Sequence, residues 1–127
     1  MLETNTKYIQ NISTERNIIM KLAIFGSRTL PAPNIEEYLP EGVTEIVSGG
    51  AKGIDEEAAR FAKTHGLKLT EFLPDYERFG RVAPIMRDKQ IAEYADAGLA
   101  FWDGESRGTK YTIEFFNKEN KPVKIII

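Results

Sequence analysis

Apolar residues fall in short runs along this chain, and the stretches between them have helical spacing. Residues 22–25 (Leu-Ala-Ile-Phe) are an unbroken apolar run, the pattern of a strand buried on both faces. A loop carrying Pro31 and Pro33 leads to a short helix over 34–39, and 45–48 forms the second strand. Residues 54–65 have helical periodicity, with Ala58, Ala59, Phe61 and Ala62 on the inner side and Gly66 just past the end. The alternation continues with a strand at 67–72, a helix at 85–94, a strand at 98–102, a helix at 110–118 and a last strand at 123–127. Residues 1–19 do not join this pattern. They are polar and Asn/Thr-rich, with scattered apolar residues at Tyr8, Ile9, Ile12, Ile18 and Ile19. The expected organisation is an N-terminal extension over 1–19 and one domain over 20–127, with Met20 itself an alternative start.

Strands that alternate with helices imply right-handed crossovers. The expected fold is therefore α/β: a Rossmann-like, doubly wound, parallel five-stranded sheet in the order 3-2-1-4-5, with helices on both faces. Winding reverses between strands 1 and 4, so a crevice opens there at the carboxyl ends of the strands.

Three loops reach that edge, and all carry glycine. They read Gly26-Ser27-Arg28, then Ser48-Gly49-Gly50-Ala51-Lys52-Gly53-Ile54-Asp55, then Asp103-Gly104-Glu105-Ser106-Arg107-Gly108-Thr109. Any tight turn from strand to helix uses glycine. Three such turns on one edge instead bring backbone N–H groups and helix N-termini together at a place suited to anions. Arg28, Lys52 and Arg107 add cations there. Ser27 and Arg28 follow the central strand, where they have little packing to do. Asp55 is either a capping residue or a partner for a ligand hydroxyl. Trp102 ends strand 4, where it stacks on a base or closes the sheet edge. Arg87 is mid-helix, as a solvated surface residue or a ligand contact; neither it nor Arg28 is expected in the core. The long loop 74–84 carries Tyr76, Arg78, Phe79 and Arg81, which suit a lid over base and phosphate or an ordinary solvated loop. His65 is a helix-end residue.

The second loop, Ser48-Gly49-Gly50-Ala51-Lys52-Gly53-Ile54-Asp55, resembles the Ser-Gly-x-Ala-x-Gly-Ile-Asp motif of the Smf/DprA proteins. With Gly26-Ser27-Arg28, Arg87, Asp96 and the Gly-x-Ser-x-Gly-Thr segment at 104–109, the chain resembles the SLOG superfamily, which joins DprA to the Lonely Guy phosphoribohydrolases. It is most similar to the small stand-alone YspA-like branch, through Ala23-Ile24-Phe25-Gly26-Ser27-Arg28 and Phe101-Trp102-Asp103-Gly104. The resemblance covers residues 20–127. It implies a pocket for a nucleotide or nucleotide-derived ligand without fixing one reaction, since members include hydrolases, single-stranded DNA binders and sensors of NAD-derived signals. Arg87 and Asp96 keep the separation of the helix arginine and strand-start aspartate in Lonely Guy and DprA sequences. Asp88 stands where those families carry lysine or asparagine.

That leaves three functional expectations: a sensor or sequestering module for a nucleotide-derived ligand, a phosphoribohydrolase, and a DprA-like DNA binder. The hydrolases use the helix arginine with a glutamate three residues after the Gly-Thr pair. Here that position is Thr112, and the nearby acid, Glu114, lies two residues further on. Two residues turn a side chain by about 200° around a helix, so Glu114 is expected to face away from the crevice. Arg87 and Glu114 remain the candidate catalytic pair, with Asp55, Asp103 and Glu105 as spare acids. The DNA reading ranks last, because 17 basic against 19 acidic residues give a net charge of −2 and backbone electrostatics dominate non-specific DNA affinity.

Composition narrows the rest. The chain has 127 residues, 42% hydrophobic and 28% charged, which fits one ordinary globular domain. It has no cysteine and one histidine, so neither a disulfide nor a metal centre is expected, and no cofactor is required. Without a membrane-length apolar run or a secretory signal, the expected location is cytoplasmic. A homo-oligomer is also expected. Its interface would be the helix at 85–94, through Ile85, Met86, Ile91 and Tyr94, with residues 1–19 docked on a partner subunit.

Overall fold

The structure is a computed structural model and describes residues 20–127. The docking role expected for residues 1–19 lies outside the described residues. Five strands, β1 (Met20–Gly26), β2 (Val43–Ser48), β3 (Lys68–Glu71), β4 (Ala97–Phe101) and β5 (Val123–Ile126), form a single sheet. It is parallel throughout, in the order β3-β2-β1-β4-β5. This is the expected α/β, Rossmann-like arrangement, with its switch point between β1 and β4.

Two cores lie on the two sides of the sheet, and the alternation of side chains along β1 explains both. Leu22 and Ile24 join Ile46, Leu99 and Phe101 beneath helix α1 (Ile54–Thr64), which contributes Ile54, Ala58 and Ala62. Ala23 and Phe25 join Val47 and Ala100 on the opposite side. They pack there with Ile91 and Ala92 of helix α3 (Ala83–Tyr94) and with Ile113 and Phe116 of helix α4 (Arg107–Lys118). Because β1 is covered on both faces, its apolar run has no polar interruption.

Helix ends follow local chemistry. Past α1, the Leu67 and Gly66 N–H groups return to the carbonyls of Ala62 and Lys63 at 2.9 and 3.4 Å, and Gly66 has φ of 66°. That is a glycine-terminated C-cap. At the end of α3, the Lys121 ammonium donates to the Ala92 and Glu93 carbonyls at 2.8 and 2.7 Å.

Two expectations about boundaries change. The segment 74–84 is not an open loop: it holds a short helix α2 (Tyr76–Phe79) and a 3-10 turn (Gly80–Val82), then enters α3 through Pro84. Asp75 starts α2 by accepting the Arg78 N–H at 3.1 Å, and proline suits the first turn of α3. Helix α4 begins at Arg107 rather than 110, because Ser106 caps it and accepts the Thr109 N–H. Gly108 and Thr109 therefore lie in the first turn of a helix.

Glu45 of β2 is a buried carboxylate away from the crevice. It accepts the hydroxyls of Thr70 at 2.6 Å and Tyr94 at 2.5 Å, with the Lys68 ammonium at 3.7 Å. Burial alone would raise its pKa. The two hydroxyls, with the charges of Lys68 and Lys21, outweigh that and leave it below the ordinary value. This network also alters the expected interface: Ile91 is core, and Tyr94 is half-buried with its hydroxyl on Glu45. Of the four apolar residues proposed for it, only Ile85 is a large exposed hydrophobic.

Candidate functional site

At the switch point the three glycine loops and α3 enclose a crevice of about 530 Å³. Volumes of this order hold small-molecule ligands. Gly26, Arg28 and Thr29 come from the loop after β1; Ala51, Lys52 and Asp55 from the loop after β2 and the start of α1. Asp103, Glu105, Ser106, Gly108, Thr109 and Thr112 come from the loop after β4 and from α4, and Pro84, Arg87 and Asp88 from α3. Among the sequence candidates, Gly26, Arg28, Lys52, Asp55, Arg87, Ser106, Gly108 and Thr109 thus share one crevice.

The other candidates do not line it, and most of them have visible structural work. Ser27 is buried; its hydroxyl accepts the Asp103 N–H at 3.1 Å, tying the first loop to the third. Ser48 is buried and accepts the Gly50 N–H at 3.3 Å. Gly49 lies under Arg87, where a Cβ would come within 2.5 Å of Nη1. Gly53 has φ of 79° and donates its N–H to Glu56 at 3.1 Å. Trp102 packs against the core on the α3–α4 side and gives its indole N–H to the Ser106 carbonyl at 3.0 Å, so it closes the sheet edge. Gly104 and Arg107 are exposed outside the crevice wall. Glu114 is also exposed and outside it, as its helical offset predicts, while Thr112 faces the crevice. Asp96 is at the opposite end of the sheet, where it accepts the Lys21 N–H at 2.9 Å.

Several loop amides that looked free in the sequence already have acceptors. Ala51 N–H donates to Asp55 Oδ2 at 3.0 Å, and the N–H groups of Glu105 and Ser106 both donate to Asp103 Oδ1 at 2.8 Å. Those two bonds, with further ones from the Thr29 and Ser27 side chains, lower the Asp103 pKa to about 2. Besides Arg87, the cations that line the crevice are Arg28 and Lys52, and the first turn of α4 borders the same space. Arg28 and Lys52 are exposed at its rim.

Its floor is built differently. Arg87 was expected outside the core, but its side chain is only 12% exposed. It donates from Nη1 to the Gly49 carbonyl at 2.6 Å and from Nε to Asp88 Oδ1 at 2.7 Å. A helix residue thereby clamps the loop after β2. Burial raises the Asp55 carboxyl pKa, against the Ala51 N–H and the Arg87 charge. Burial likewise raises Asp88, against the charge and hydrogen bond of Arg87 and the Thr112 hydroxyl. Asp88 is the lining residue that sequence reasoning undervalued: its departure from the lysine or asparagine pattern was visible, its burial was not. Among the described residues, no group of His, Asp or Glu is arranged to hold a metal ion.

Comparison of the chain with protein-family models, curated proteins and solved structures finds no match. No helix among the described residues is long and apolar enough to cross a membrane.

Proposed function

We propose that this protein binds a nucleotide or nucleotide-derived small ligand in the crevice, as a sensor or sequestering module of SLOG type. One observation carries the reading: the crevice lies at the switch point of a parallel sheet, walled by three loops whose rim carries Arg28 and Lys52. Ligands of this class bind at switch points because helix N-termini and loop amides meet there. Gly108 supports the same reading. It lies in the first turn of α4, and the space its missing Cβ would occupy is open.

The phosphoribohydrolase alternative loses its expected acid, since Glu114 is outside the crevice. Of the carboxylates that line the crevice, Asp55 and Asp88 are the two coupled to Arg87. A DprA-like role has less support still, because four acids line the same crevice: Asp55, Asp88, Asp103 and Glu105.

A thermal-shift screen of NAD, ADP-ribose, cyclic ADP-ribose variants, nucleoside monophosphates and cyclic dinucleotides tests the proposal. A ligand at about 100 times its dissociation constant adds about 2.7 kcal/mol of stability. A shift with the ligand recovered intact supports a sensor, and one with the ligand cleaved supports an enzyme. No shift with any of these compounds contradicts the assignment.

A further inference from the structure

The rim and the floor of the crevice offer opposite chemistry. Arg28 and Lys52 at the rim are exposed cations, whereas the floor holds Asp55 and Asp88 near Arg87. The Arg87 and Asp88 side chains are only 12% and 15% exposed. A phosphate on this floor would meet two carboxyl groups for one guanidinium, so charge favours the rim over the floor for it.

Acceptors and donors nonetheless remain free. Asp88 accepts from Arg87 through Oδ1. The neighbouring Thr112 hydroxyl donates to the Gly108 carbonyl at 2.9 Å and also interacts with Asp88. A carboxylate accepts about four hydrogen bonds, so Asp88 keeps capacity for a ligand. Asp55 accepts the Ala51 N–H through Oδ2, and its other oxygen has no hydrogen-bond partner among the described residues. Arg87 donates through Nε and Nη1, leaving Nη2 available. Free carboxylate oxygens beside a free guanidinium nitrogen match vicinal hydroxyls, each of which donates one hydrogen bond and accepts another. A carboxylate recognises ribose hydroxyls in this way in other switch-point sites.

We propose that the floor of the crevice is a sugar-reading subsite in which Asp88, held by Arg87, accepts from a vicinal hydroxyl of the ligand while its phosphate remains at the rim with Arg28 and Lys52. This rests on the crevice being the ligand site, and makes Asp88 the residue that selects a ribose over a deoxyribose phosphate.

Calorimetric titration of the full chain with inorganic phosphate, ribose 5-phosphate and 2-deoxyribose 5-phosphate tests both layers. Ribose 5-phosphate should bind about tenfold to a hundredfold more tightly than the deoxy sugar, the worth of one hydrogen bond to a charged group. In Asp88→Ala the ratio should fall to within about threefold of unity, as expected once that bond is gone. Phosphate binding should be retained or strengthened, because a negative charge has left the crevice. If the alanine variant does not fold, the near-isosteric Asp88→Asn should also lower the ratio. Equal binding of the two sugars by the natural protein, or an undiminished ratio in a folded Asp88 variant, overturns the subsite. If phosphate still binds and Arg28→Ala weakens it, the ligand crevice itself survives that result. No binding of any of the three compounds overturns both.

Discussion

Replacing Arg87 with methionine removes the guanidinium while keeping most of the aliphatic stem, so packing is largely preserved. The Gly49 carbonyl loses a 2.6 Å hydrogen bond, and Asp88 loses the cation 2.7 Å away. Removing one partner of a buried pair costs about 3–5 kcal/mol. The two side chains keep 12% and 15% of their exposure, so some solvent remains and about 2–4 kcal/mol is expected. In a domain of this size that lowers the melting temperature by roughly 10 °C. The pH dependence gives a sharper test. Asp55 and Asp88 have raised pKa values in the folded state. Between the unfolded value and the raised native value, the native state binds more protons, so these groups make stability fall as pH rises. Losing Arg87 raises both further, which makes the penalty largest near neutral pH. Urea denaturation of both proteins at about pH 7 and about pH 5 should show the deficit shrinking at the lower pH. A variant within about 0.5 kcal/mol of the natural protein at neutral pH, or a deficit that ignores pH, refutes the role given to Arg87.

Other substitutions probe separate parts of the account. Gly26→Ala places a Cβ 2.4 Å from the Phe101 carbonyl oxygen and 2.9 Å from Ile54. A loss of about 1–3 kcal/mol or more is expected in chemical denaturation. Tyr94→Phe removes a hydrogen bond to the buried Glu45 carboxylate and should cost about 1.5–3 kcal/mol near neutral pH. Because the Glu45 pKa is lowered on folding, its contribution is present above the unfolded value and lost as pH falls through the native one. The Tyr94→Phe deficit should therefore narrow in acid, as denaturation at both pH values would record. Carbon-detected NMR should place the Asp103 titration at about 2; an ordinary carboxylate midpoint would contradict the loop geometry. Light scattering should find an oligomer for the full chain, and a monomer would end that expectation.

The sheet order was legible because an all-buried strand such as 97–101 is apolar without interruption, and because helical spacing separates the strands. The convergence of the loops followed from that order. Boundaries set by a single capping side chain were harder to read. Asp75 and Ser106 each start a helix, but both lie among polar residues that also suit a loop. Side-chain destinations were less legible still. Trp102 and Ser27 are functional residue types beside the glycine loops, yet the fold uses them to pin the third loop. Arg87 and Asp88 occupy a helix with weak amphipathic patterning, so only tertiary packing reveals that both lie on the crevice floor.

The central claim is tested most directly by locating the ligand. A backbone amide NMR titration with ADP-ribose should shift resonances at residues 26–29, 51–55 and 103–109, the loops that wall the crevice. The same titration on Arg28→Ala should need more ligand for the same shifts. Saturable shifts confined to these loops are the expected result. Shifts gathered on another face, or none at millimolar ligand, would contradict the assignment of the crevice as the binding site.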